Sequence, residues 1–276
     1  MLGKLIKHDL AALSRVLVPL HLGALGIAAA ATVCGFAGSG FGESARRAAG
    51  TASELFGLTA GFAYIALAFC LVLLCTLVLA TFLVIVHRFY SNLFTDEGYL
   101  TLTLPVTANQ IVLSKMLAGA LWLLVDFLVV GACAMAVLFG LDVFSETLSP
   151  GDVFLRWYPE FPSASEWANF ASTILQGIGW MLAAYAALCV GSAAARHKVA
   201  AAVGVFLLIW IVVGVGSSVL EVLAIAILSS LVPGVSVDYA FLDMMARVLS
   251  PVIMLAVAAG SYAFCVFWLG RRVNLA

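Results

Sequence analysis

Of the 276 residues, 64% are hydrophobic and only 10% are charged, with thirteen lysines and arginines against fourteen acids. An average soluble domain is roughly 45–50% apolar and about 25% charged, so lipid rather than water is the expected solvent for most of this chain. The near-neutral balance gives no support for nucleic-acid binding. The six cysteines (Cys34, Cys70, Cys75, Cys133, Cys189, Cys265) all fall inside apolar runs and read as small hydrophobes, not as a disulfide frame or metal cluster.

At the N-terminus, Leu2, Leu5, Ile6, Leu10 and Leu13 recur at helical spacing while Lys4, Lys7, His8 and Arg15 stay available to water. Residues 1–15 therefore read either as an amphipathic helix on the inner membrane surface or as a basic flank that sets topology. The apolar run from Val16 to about Phe36 exceeds the ~7–15 residues of a signal-peptide core, so it reads as a retained first span.

Runs long enough to cross about 30 Å of hydrocarbon at ~1.5 Å per residue lie near 16–36, 57–87, 116–141, 170–194, 199–218 and 251–270. The fold class expected is thus an all-α integral membrane protein of six transmembrane helices, forming a single domain over 1–276. Lys and Arg gather on the side of the N-terminus, the 88–115 loop, the 195–198 turn and the C-terminus, which places both termini in the cytoplasm.

The loop at 37–56 is Gly/Ala/Ser-rich with a helix-compatible patch, and 142–169 carries Trp157, Tyr158, Phe161 and Trp167. Aromatics near a span end usually sit at the headgroups; the alternative is a substrate contact. In the fourth span Gly179, Ala183, Ala187 and Gly191 recur every four residues and leave a smooth face for a neighbouring helix, in this chain or in a second subunit, with slight preference for this chain. Val219 to Val232 follows Gly216-Ser217-Ser218 and ends at Pro233. It is too short to span and reads as a re-entrant or interfacial segment within the 219–250 stretch before the sixth span.

The 88–115 loop is the most organised part. The second run, 57–87, gives roughly 45 Å of helix, enough to project beyond the bilayer. Asp96-Glu97-Gly98 supplies a turn, Leu100, Leu102 and Leu104 alternate with Thr101 and Thr103, and Pro105 pushes Leu104 out of the helical region, so a short extended piece is expected. Thr107 and Gln110 have capping-box spacing, with Val106 and Ile111 as the staple, so a helix should start near Ala108. With Phe89, Tyr90, Phe94 and Tyr99 as aromatic handles, the elbow is either a docking device for a soluble partner or an ordered loop.

Asp126 is the one acid deep in a span. An acid there costs at least about 2.5 kcal/mol on insertion scales, so it must face protein or water. It is either a cavity-lining group or proton relay, or a buried hydrogen-bonding carboxyl, with His21 and Gln176 as candidate partners. The chain has no Gly-x-x-x-x-Gly-Lys-(Ser/Thr), His-Glu-x-x-His or Gly-x-Ser-x-Gly run, so it is not expected to be an enzyme by itself.

The elbow resembles that of ATP-binding-cassette (ABC) transporter permeases of the type-2 exporter class. It matches their pattern through Glu97-Gly98-Tyr99-Leu100, then Leu104-Pro105-Val106-Thr107, then Ser114-Lys115. The N-terminal Leu5-Ile6-Lys7-His8-Asp9-Leu10 and the six-span plan extend the resemblance over most of the chain. It implies a multi-pass permease of the plasma (inner) membrane whose elbow docks on a separate ABC ATP-binding subunit, with a second permease chain, alike or different, enclosing the path.

By position, Phe94, Asp96, Glu97, Gly98, Tyr99, Leu100 and Pro105 would form the docking elbow, and the N-terminal helix would brace it. ATP and magnesium would be used by the partner, with no cofactor on this chain. An apolar or amphipathic small molecule or peptide fits a path with so few charges. The rival readings are an ion-coupled carrier or channel using Asp126, and a non-transporting anchor.

Overall fold

The computed structural model describes residues 2–47, 52–95, 98, 101, 105–146, 164–194, 196–231 and 239–273. Among them no strand occurs, and the chain runs as six helices: α1 Leu2–Arg47, α2 Ala52–Phe94, α3 Ala108–Glu146, α4 Ala164–Gly191, α5 Lys198–Leu231 and α6 Tyr239–Val273. Each contains a stretch long and apolar enough to cross a membrane. Lipid offers no hydrogen-bond partners, so a chain this apolar keeps its backbone groups paired within helices. The protein is an all-α, multi-pass membrane protein in a bilayer.

Several boundaries differ from the sequence reading. The amphipathic stretch 1–15 is not a separate surface helix, because α1 continues from Leu2 through Pro19 to Arg47. Its two faces are as expected: Lys4, Lys7, His8 and Arg15 are exposed and Leu13 is buried. Residues 37–47 and 52–56 belong to α1 and α2 instead of forming a loop, and Asp142–Glu146 and Ala164–Asn169 extend α3 and α4 into the 142–169 stretch. Trp157, Tyr158 and Phe161 lie outside the described residues. Trp167 is exposed and meets Phe170 edge to face at 6.1 Å.

The interruption expected at Gly216-Ser217-Ser218 is absent. Helix α5 runs through it to Leu231, so 219–231 continues the fifth helix and is no separate short segment. The physical reason lies in the serines. Ser217 and Ser218 Oγ donate to the Gly214 carbonyl at 2.9 and 3.0 Å. The hydroxyls are satisfied inside the helix that they would otherwise break.

The chain forms two compact bodies. The larger comprises Met1–Ala11, Val84–Leu123 and Ser163–Ala276. Its centre is α4, where every residue from Met181 to Cys189 is buried. The small-residue ladder of α4 packs within the chain. A Cβ on Gly179 would meet Met254 of α6, and one on Gly191 would lie 2.6 Å from the Ala202 backbone nitrogen of α5. Cys189 of α4 and Cys265 of α6 meet sulfur to sulfur at 3.9 Å. By contrast α5 exposes Leu208, Trp210, Val215 and Val222, as a helix bathed in lipid does.

The smaller body comprises Ala12–Leu83 and Leu124–Pro162. Ala28 of α1, Cys70 and Leu74 of α2, and Cys133 of α3 form its apolar layer. Thr32 Oγ1 ties α1 to the Ala136 carbonyl of α3 at 3.0 Å.

Candidate functional site

In the larger body, the end of α2 buries one helical stripe, Ile85, Phe89 and Leu93, with Asn92 beside it. This i, i+4, i+8 spacing follows from the helix period. Phe89 stacks on Tyr185 of α4, with ring centres 3.9 Å apart and planes 6° from parallel. Phe94 meets the Phe89 edge at 6.1 Å and lies tilted on Tyr90 at 6.2 Å. The site therefore begins as a rigid aromatic joint between the last turns of α2 and the centre of the body.

The turn that follows is held closely. The Gly98 N–H donates to the Thr95 carbonyl at 2.8 Å, and a Cβ on Gly98 would stand 2.6 Å from the Leu93 carbonyl oxygen. Only glycine lets the backbone pass there. Thr101 is helical, so the extended piece expected around it is not found at that position. Asp96, Glu97, Tyr99 and Leu100, assigned to the docking elbow by resemblance, lie outside the described residues, as do Leu102, Thr103 and Leu104. Pro105 is exposed at the entry to α3.

Helix α3 opens on the capping box read from the sequence. Gln110 N–H lies 3.3 Å from Thr107 Oγ1, and Thr107 N–H 3.3 Å from Gln110 Oε1. The first intrahelical bond, from Ile111 N–H to the Thr107 carbonyl, is 3.1 Å. The two otherwise orphaned donors are thereby satisfied reciprocally. The Tyr262 hydroxyl of α6 donates to the Asn109 side-chain oxygen in the same first turn.

A buried ion pair fastens the N-terminal segment to this elbow. Lys115 Nζ donates to Asp9 Oδ1, and Ser114 Oγ lies 3.4 Å from Asp9 Oδ2. The two charged side chains are 8% and 4% exposed. Sequence reasoning placed Lys115 at the opening of α3 but missed its partner. A signal was present: Asp9 falls in register with Leu5, Ile6 and Leu13 on the face that the amphipathic pattern turns inward.

In the smaller body, three helices meet at one carboxyl. His21 Nε2 of α1 lies 3.0 Å from Asp126 Oδ1 of α3, and Thr81 Oγ1 of α2 donates to the same oxygen at 2.8 Å. All three side chains are buried. His21, expected as a candidate partner, is one, and Thr81 was not anticipated. Gln176 belongs to the larger body, where its amide lies 3.4 Å from Ser172 Oγ and 3.5 Å from Ser250 Oγ. Among the described residues no group of three or more His, Cys, Asp or Glu is placed to hold a metal.

Comparison of the chain with protein-family models, curated proteins and solved structures gives no match.

Proposed function

We propose that this chain is the membrane-spanning permease subunit of an ATP-driven exporter of the ABC type-2 class, in the plasma membrane with both termini in the cytoplasm. A separate ATP-binding subunit would dock on the elbow between α2 and α3, and a second permease chain would complete the path for an apolar or amphipathic small molecule or peptide. The observation that carries this reading is the Asp9–Lys115 pair, which ties the N-terminal segment to the first turns of α3 beside the elbow.

A passive connection between two spans needs no buried charge to brace it, because such a pair costs desolvation that only good geometry repays. A lever that receives force does need bracing. The capping box stiffens one arm of the elbow, and the Phe89–Tyr185 stack joins the other arm to α4. Displacement of the elbow would then reach the helices through packed contacts that do not deform continuously.

The test is whether a P-loop ATPase is encoded beside this chain and copurifies with it, followed by substrate-stimulated hydrolysis in liposomes, for wild type and Glu97→Lys. Loss of both on charge reversal supports docking at the elbow. Unchanged values for both, or the absence of any associating ATPase, defeat the exporter reading.

A further inference from the structure

In the larger body α4, α5 and α6 pack against one another, and their ends share one edge of the hydrocarbon. The apolar span of α4 ends at Gly191, that of α6 ends at Arg271, and that of α5 begins at Lys198. The packing contacts agree with this levelling. Cys189 meets Cys265, and a Cβ on Gly191 would meet Ala202. Counted along the helices from these contacts at 1.5 Å per residue, Arg271 and Lys198 both lie about 9 Å beyond the Cys189–Cys265 level. Arg196 stands in the turn that leads into α5.

Arg196, Lys198 and Arg271 are exposed, and among the described residues none of the three has an ion-pair partner. The described acidic side chains of this body are elsewhere. Asp9 is buried against Lys115, Glu166 opens the span of α4 at its other end, and Glu221 lies about 35 Å further along α5 at 1.5 Å per residue. The first turn of α5 contains no acid, so Lys198 adds to the positive end of the helix dipole.

The cations adjoin apolar surface. The Arg271 guanidinium lies over the Phe267 ring at 4.4 Å from its centre, and that ring is itself exposed. This places the charge against a lipid-facing group at the depth of the head groups. Val199 and Val203, in the first turns of α5, are exposed as well.

We infer that Arg196, Lys198 and Arg271 form a site for the head group of an anionic phospholipid, whose chains lie along Val199, Val203 and Phe267. A soluble anion meets only the charges, and a neutral lipid only the apolar surface. An anionic lipid meets both, and each basic side chain near such a surface strengthens its binding about fivefold. The inference does not rest on the exporter reading, since the site belongs to three helix ends away from the elbow.

The test uses the full-length chain in phosphatidylcholine nanodiscs that carry a minor fraction of one of two photoactivatable probes, phosphatidylglycerol or phosphatidylcholine, each with a diazirine high on one acyl chain. After illumination, labelling is mapped by mass spectrometry. The ratio of phosphatidylglycerol to phosphatidylcholine labelling at Val199–Val203 is divided by the same ratio at Val219–Leu223, the far part of α5, which carries Glu221 and no basic residue. The expected excess is at least about fivefold and, with all three cations engaged, on the order of 100-fold. It falls to near one in Arg196→Gln/Lys198→Gln/Arg271→Gln, and millimolar glycerophosphate, a head group without chains, leaves it in place.

Equal ratios at the two ends of α5 in the wild type overturn the inference, whatever becomes of the variant. So does an excess that survives in the triple variant. Loss of the excess on adding glycerophosphate also overturns it, because the ligand would then be a free phosphate and not a lipid.

Discussion

Asp9→Asn is the sharpest single perturbation of the elbow, since it keeps the size and one acceptor oxygen of the side chain and removes only its charge. Lys115 would be left 8% exposed with its counter-ion gone. Breaking a buried pair from one side costs about 3–5 kcal/mol, most of it the penalty of the stranded charge. Half-buried Leu5 and Ile6 contribute only about 1–2 kcal/mol each to holding the segment in place, so the loss is comparable to what these two neighbours of Asp9 supply together. At about 1.36 kcal/mol per factor of ten, the undocked population rises between roughly 150-fold and 5,000-fold. Hydrogen exchange of the amides from Leu5 to Leu13, read by mass spectrometry in detergent micelles, measures that population directly. Lys115→Met alone should accelerate exchange comparably, by stranding Asp9. The double variant Asp9→Asn/Lys115→Met should return to within about tenfold of wild type, because removing both charges removes the desolvation penalty with the attraction. Wild-type exchange in Asp9→Asn, or a double variant as fast as the worse single, would refute the claim that this pair clamps the segment.

The α4 ladder separates two kinds of close approach under one substitution. Gly191→Ala forces a Cβ against the Ala202 backbone and should cost about 1–3 kcal/mol, whereas Gly179→Ala meets the flexible Met254 thioether and should cost under about 1 kcal/mol; thermal unfolding of the two variants ranks them. Thr107→Ala removes the capping oxygen of α3 and should cost about 1 kcal/mol, read as faster exchange of the Gln110 amide. Phe89→Ala empties the space beside Tyr185 and should destabilise by about 3–5 kcal/mol, while Tyr185→Phe keeps the stack and stays close to wild type in the same unfolding assay.

The six spans were legible because lipid demands long apolar runs and tolerates few charges, so length and composition alone locate them. Their ends were not. Beyond the hydrocarbon a helix no longer has to be apolar, and the continuation of α1 to Arg47 is rich in glycine, which in sequence signals a loop. Gly216-Ser217-Ser218 misled in the opposite sense, since turn chemistry learned from water assumes that serine hydroxyls compete for the backbone from outside the helix. In an apolar setting they bond to Gly214 and the helix continues. At the elbow, local chemistry was readable wherever both partners lie within one turn, as with Thr107 and Gln110.

The two ionic contacts join residues 105 and 106 positions apart, and no local pattern encodes such a pairing. Asp126 stood out because one acid in an apolar run has to be accounted for. Asp9 did not, because it sits among lysines in a segment where water appeared able to solvate every charge. What distinguishes the two cases is the face of the helix and not the density of charge. An acid in register with buried leucines needs a cation, and near α3 the candidate is Lys115, at the start of an otherwise apolar helix. Thr81 shows the remaining blind spot. A threonine inside a helix ordinarily bonds back to its own backbone, as Thr76 does to the Val72 carbonyl at 2.8 Å. Only the arrival of Asp126 from another helix gives the Thr81 hydroxyl a different partner, and that arrival is a property of packing, which a single sequence does not display.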